Sequence, residues 1–231
     1  PDNMAESSIV LVHGSFFSSW TWMPVLERLN AHDVDVTAIE LPLTSLADDA
    51  DVLRSAIAEA SKTGPVTVVC HSYTGITASV GGHGAQHIVH IASRMPAIGE
   101  SQSELNKDWG NPEFRSCFEF SEDGTMSLTD GADAFLFNRS PRGLSQYAMA
   151  NRRSMKSEIP AIPIENPAWK SMKSSYLVCT DDRAVRIEQQ RMRAAWADFS
   201  IEMDCDHSPF FSAPKQTADF ILETHLAVIG G

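Results

Sequence analysis

Basic residues are scarce in this chain. Only 18 Lys and Arg stand against 30 Asp and Glu, for a net charge of −12 over 231 residues. Such a surface repels phosphate backbones and anionic lipid headgroups, so neither nucleic acid nor membrane is an expected partner. The acidity reads as a solubility feature. Long apolar runs are also missing, and none approaches the roughly 20 residues of a membrane span. Cysteine is confined to Cys70, Cys117, Cys179 and Cys205, without a C-x-x-C pair. Zinc and redox motifs are therefore unsupported, and buried free thiols in a reducing compartment are expected. Repeats and low-complexity tracts are absent. Pro1-Asp2-Asn3-Met4 lacks the basic-then-apolar order of a secretory leader, although a leader already removed stays open. Met4 reads as the natural start, and a cytoplasmic location is expected.

What is present is a rhythm of short apolar strands and helices. Strands are expected at Ser8–Val12, Val34–Ile39, Val66–Cys70, His87–Ala92, Ser175–Cys179 and Phe199–Met203. Helical spacing marks Trp20–Asn30, Asp48–Ala60, Gln189–Ala197 and Pro214–Val228. The alternation implies an α/β fold: a mostly parallel sheet of about six strands with helices on both faces. Residues 95–167 break the rhythm. They are richer in Gly, Pro, Ser and charge, with short helical patterns at Gly131–Asn138 and Leu144–Met155 and no clear strand. They read as a helical cap inserted over the sheet's C-terminal edge, between core segments 1–94 and 168–231. The length suits one such unit and leaves a homo-oligomer open.

The chemistry centres on Val66-Thr67-Val68-Val69-Cys70-His71-Ser72-Tyr73-Thr74-Gly75. A β-branched run ends in a small-residue turn that carries Ser72, and a helix can begin behind it. That is the context of a nucleophile elbow, although Cys70 and Thr74 stand where G-x-S-x-G has glycines. Ser72 needs a base and the base needs an acid. One later strand runs into Asp181-Asp182, and the next runs into Asp206-His207. Each set therefore sits at the C-terminal edge of a parallel sheet, and the order is Ser…Asp…His. His207 is the base; Asp181, Asp182 and Asp206 compete as its acid. The backbone N–H of Tyr73 and one from His13-Gly14-Ser15-Phe16 are the oxyanion donors, assigned to Ser15 with Phe16 as runner-up. Phe16, Phe17, Trp20 and Trp22 are expected to wall an apolar pocket. His83, His87 and His90 do not converge, because His87 and His90 fall on opposite strand faces, so no metal site is expected.

Together these residues resemble the α/β-hydrolase superfamily. The similarity is to small bacterial members related to plant methyl-ester esterases and hydroxynitrile lyases. It is carried by Val10–Ser15 with Trp20 and Trp22, Leu41–Thr44, Val69–Tyr73, Pro167–Trp169, Tyr176–Ala184 and Asp206–Phe210. The resemblance selects Asp182 as the acid and implies no cofactor, a cap, and hydrolysis through an acyl-enzyme. The expected substrate is a small to medium apolar ester or lactone. Ser208 stands where related lyases carry Lys, which counts against cyanohydrin cleavage. C–C bond cleavage, cofactor-free oxygenation and ligand binding without turnover are the alternatives on the same fold.

Overall fold

Val- and Ile-rich segments become strands here because branched side chains pack well on a pleated surface, and a sheet covered on both faces can bury every residue. The computed structural model describes residues 6–230; Met4 lies outside them. In chain order the strands are β1 (Ser8–Val12), β2 (Asp35–Ile39), β3 (Val66–His71), β4 (His87–Ile91), β5 (Phe118–Phe120), β6 (Thr125–Leu128), β7 (Met155–Lys156), β8 (Lys173–Cys179) and β9 (Phe199–Met203). The main sheet has the order β2-β1-β3-β4-β8-β9, and every pairing in it is parallel. β1, β3 and β4 are buried along their whole length.

The helices are α1 (Met23–Leu29), α2 (Leu46–Ala60), α3 (Thr74–Gly81), α4 (Gln102–Trp109), α5 (Pro112–Arg115), α6 (Asp133–Leu136), α7 (Arg142–Ala150), α8 (Ile187–Ala194), α9 (Pro209–Ser212) and α10 (Pro214–Ile229). The core helices fall where the apolar spacing puts them. Among the described residues, no helix is long and apolar enough to cross a membrane.

The insertion differs from the all-helical expectation. Besides α4–α7 it holds a three-stranded antiparallel sheet, β5-β6-β7. Its hairpin turns through Ser121–Gly124, where Gly124 takes a φ of +80°. Lys156 N–H, on β7, donates to the Leu43 carbonyl at 2.9 Å, which ties this small sheet to the core.

Candidate active site

In a parallel sheet all strands end at one edge. β1, β3, β8 and β9 deliver Gly14–Ser15, Ser72, Asp182 and His207 to that edge. Ser72 has a φ of +54°, a left-handed conformation that costs a non-glycine residue on the order of 1–3 kcal/mol. Neighbouring bonds hold it there. Its N–H donates to Ile91 O at 3.2 Å, and its carbonyl accepts from Gly75 N at 3.2 Å and Arg94 N at 3.0 Å. The turn needs glycine one place later than the motif suggests. A Cβ on Gly75 would lie 1.9 Å from Arg94 O. Thr74, which the motif makes crowded, is instead a clamp: its Oγ1 accepts from His71 N at 3.0 Å and lies 2.9 Å from His71 O. Cys70 is fully buried, and burial pushes its thiol up to about 12, so it is not a thiolate at neutral pH.

His207 Nδ1 donates to Asp182 Oδ2 at 2.6 Å, with both side chains almost fully buried. Asp182 also accepts from Ala184 N (2.9 Å), Val185 N (2.8 Å) and Gln190 Nε2 (2.9 Å). Its competitors are engaged elsewhere. Asp181 faces Asn138 and the half-exposed Arg139. Asp206 is buried and accepts from Arg139 N, Ser140 Oγ, Ser208 N and Ser212 Oγ. Among the described contacts, no hydrogen bond joins Ser72 to His207. Both line one cavity of about 420 Å³, and such bonds commonly tighten only when substrate is bound.

Three positioning residues went unread in the sequence. His71 Nε2 donates to the His207 carbonyl at 2.7 Å. Burial, then the adjacent His207 ring, lowers the His71 pKa well below its ordinary value, so its single ring proton sits on Nε2. Gly14 packs on the other side of that ring, where a Cβ would lie 2.8 Å from Nδ1. His13 fixes the loop after β1: its Nδ1 donates to Gly14 O at 2.8 Å, and its Nε2 accepts from Leu41 N at 2.9 Å. Arg153 clamps the same loop from the cap, its N–H donating to Phe16 O at 2.6 Å and its Nη1 to Phe17 O at 3.0 Å. The only sequence signal for His71 was its place directly before Ser72.

Ser15, Phe16 and Phe17 line the cavity. Trp20 and Trp22 do not, contrary to expectation. The short 3-10 turn Ser19–Trp22 points Thr21 at the cavity instead. Trp20 packs on Tyr147 at 4.8 Å, and Trp22 is fully buried against Phe210 at 5.3 Å. Of the three histidines outside the site that the sequence groups together, His83 is exposed, whereas His87 and His90 are buried. His87 Nε2 lies 2.8 Å from Ser175 Oγ, and His90 Nδ1 lies 3.1 Å from Ser93 Oγ.

The family model described as "Alpha/beta hydrolase family" matches residues 9–220. The chain belongs to the alpha/beta hydrolase family. Similar relatives include the "Probable hydrolase R7" of a Phoma species, 26% identical over 95% of this chain and 98% of the relative. Methylesterase 7 of Arabidopsis thaliana is 27% identical over 96% of this hydrolase-family chain and 97% of its own. Among solved structures, polyneuridine aldehyde esterase has a TM-score of 0.84 at 18% identity, covering 95% of this chain and 99% of that one. Tomato methylketone synthase I with 2-tridecanone has a TM-score of 0.81 at 18% identity, covering 96% and 99%. At that identity the likeness speaks for the α/β-hydrolase fold.

Proposed function

We propose that this chain is a serine carboxylesterase acting on small to medium, largely apolar esters or lactones. The observation that carries the reading is the buried His207–Asp182 pair facing the cavity into which Ser72 projects from a left-handed turn. Ser72 Oγ attacks the ester carbonyl while His207 Nε2 takes its proton. Asp182 keeps the other ring proton on Nδ1 and stabilises the imidazolium. The Ser15 and Tyr73 backbone N–H groups receive the oxyanion; among the described residues neither donates to a protein acceptor. One such donor is worth about 3–4 kcal/mol of barrier. Collapse expels the alcohol with the proton held on His207, and water then releases the acid by the same route.

A cavity of about 420 Å³ suits a compact substrate. Phe114, Phe118 and Phe137 of the cap close it from above. The methylesterase relatives support ester cleavage as the reaction. Four buried, unpaired cysteines support a reducing, cytoplasmic setting. A panel of acyl esters and lactones of graded size, with Ser72→Ala as the blank, tests the reading. Turnover by the wild type and none by the variant is expected. A change of carbon skeleton without ester turnover would favour C–C cleavage, and ligand-induced stabilisation without any turnover would favour a binding protein.

A further inference from the structure

The wall of this cavity is not uniformly apolar. Arg94 follows β4 closely, and its N–H bonds to the carbonyl of Ser72, so its side chain emerges beside the nucleophile. It lines both the main cavity and a side chamber of about 100 Å³. Its Nε is buried without a hydrogen-bond partner, and among the described residues no carboxylate lies within ion-pair distance. Its Cζ lies 5.8 Å from the centroid of the Trp109 ring. A single cation–π contact leaves the guanidinium's five N–H donors unused.

In the main cavity the surroundings add to the positive charge rather than cancelling it. The carboxylates Asp49 and Glu158 line only the side chamber, with Lys156, and Asp49 already accepts from Tyr73 Oη. Arg115 lines the main cavity, and its Nη2 donates only to the carbonyls of Asn106 (2.5 Å) and Lys107 (2.8 Å). No Asp or Glu lines the main cavity, in a chain whose net charge is −12. Trp109 Nε1 is a second buried donor without a partner, and Asn106 Oδ1 is a buried acceptor without one. The Asn106 amide can turn to present its NH2 group. Burial lowers the Arg94 pKa to about 10, which leaves it charged at neutral pH. A half-buried guanidinium whose Nε is shielded without a partner, beside a buried indole N–H without one, is costly to maintain and marks a place where a ligand supplies the missing anion.

We propose that Arg94 is the specificity residue of this cavity and binds a carboxylate carried by the substrate, so that the preferred ester is a monoester of a dicarboxylic acid. The guanidinium takes the carboxylate in a two-point contact, and the unpartnered Trp109 Nε1 is a further donor in the same cavity wall. The scissile ester lies at Ser72, one short apolar spacer away. This inference rests on the esterase reading of Ser72.

Monomethyl adipate and dimethyl adipate present the same methyl ester with and without the negative charge. The wild type is expected to show the higher kcat/KM on monomethyl adipate, chiefly through a lower KM. Arg94→Met should reduce the monoester-to-diester ratio by about tenfold to a hundredfold, the range for a lost charged hydrogen bond, and Arg94→Lys should retain part of it. An unchanged ratio in Arg94→Met, or a wild type that prefers dimethyl adipate, overturns the proposal. Calorimetry of monomethyl adipate on Ser72→Ala, compared with the Ser72→Ala/Arg94→Met double variant, needs no turnover. Binding that is lost with Arg94, in a protein that hydrolyses neither ester, would uphold the carboxylate site and overturn the esterase reading. Equal hydrolysis of both esters would do the reverse.

Discussion

Thr74 changes the meaning of the degraded elbow. Its Cβ is tolerated because the close approach of chain to chain occurs at Gly75, against Arg94 O and Ser93 Oγ. Its hydroxyl closes the turn on the backbone of His71, at a position with no solvent exposure. Restoring the usual glycine should therefore weaken the protein. Thr74→Gly is expected to lose about 1–3 kcal/mol, from the missing hydrogen bonds and the greater freedom of the unfolded chain. Thr74→Ser should lose much less. Urea denaturation measures both; a Thr74→Gly midpoint equal to that of the wild type would show that the hydroxyl is a bystander. Much at this scale was legible in the sequence. The positions of Ser72, His207 and the candidate acids Asp181, Asp182 and Asp206 followed from strand ends, because a parallel sheet brings every such end to one edge, while the choice of Asp182 among them came from the family resemblance. The neighbours that orient them were not legible. His71, His13 and Arg153 act chiefly through backbone carbonyls and amides of distant residues, and no periodicity records such contacts.

At the scale of elements, a buried carboxylate gathers most of the polar contacts between the cap and the His207 loop, beside Ser208 Oγ to Leu136 O and the Arg139–Asp204 pair. Asp206 receives Arg139 N and Ser140 Oγ from the cap, and Ser208 N and Ser212 Oγ from α9 and the residue before it. Asp206→Asn replaces one acceptor oxygen with an NH2 group facing those donors. It is expected to destabilise the fold by about 2–4 kcal/mol. Because His207 follows directly in the chain, kcat should fall too. A variant with wild-type stability in urea and unchanged kcat would mean that the Asp206 carboxylate is not needed to dock the cap. Core elements were readable because their apolar runs are long and continuous. The cap strands were not, since β5 and β6 span three and four residues. The signal that could have found them is Asp123-Gly124 between Phe-Glu-Phe and Met-Ser-Leu, a turn dipeptide flanked by alternating residues. Helix α4 carried a similar sign in its capping box, Ser101 with Glu104. The misplacement of Trp20 and Trp22 has a different cause: a 3-10 turn shows three faces in quick succession, and sequence spacing did not say which one meets the cavity.

For the molecule as a whole, buried histidines set the response to acid. His87 and His225 flank Thr67 within the core, with Thr67 Oγ1 2.7 Å from His225 Nδ1 and 3.5 Å from His87 Nδ1. Both are lowered to about 4, His225 by burial and His87 by burial and then by the neighbouring His225. Burial, then His87, takes His90 to about 3. Each is neutral in the folded protein and takes up a proton on unfolding once the pH falls below its ordinary value near 6.5. The unfolded chain then binds more protons, so stability is complete above pH 6.5 and declines as the pH falls toward 4. His87 alone accounts for roughly 3 kcal/mol of that decline. The urea midpoint should drop steadily between pH 6.5 and 4.5, and His87→Gln should flatten the drop; a constant midpoint across that window would contradict the account. The central claim is that four strand ends converge on one nucleophile. Intact-protein mass spectrometry after reaction with a fluorophosphonate tests it most directly. One adduct is expected, mapped to Ser72, absent in Ser72→Ala and strongly slowed in His207→Ala. An unlabelled wild type, or an adduct at any other residue, would contradict it.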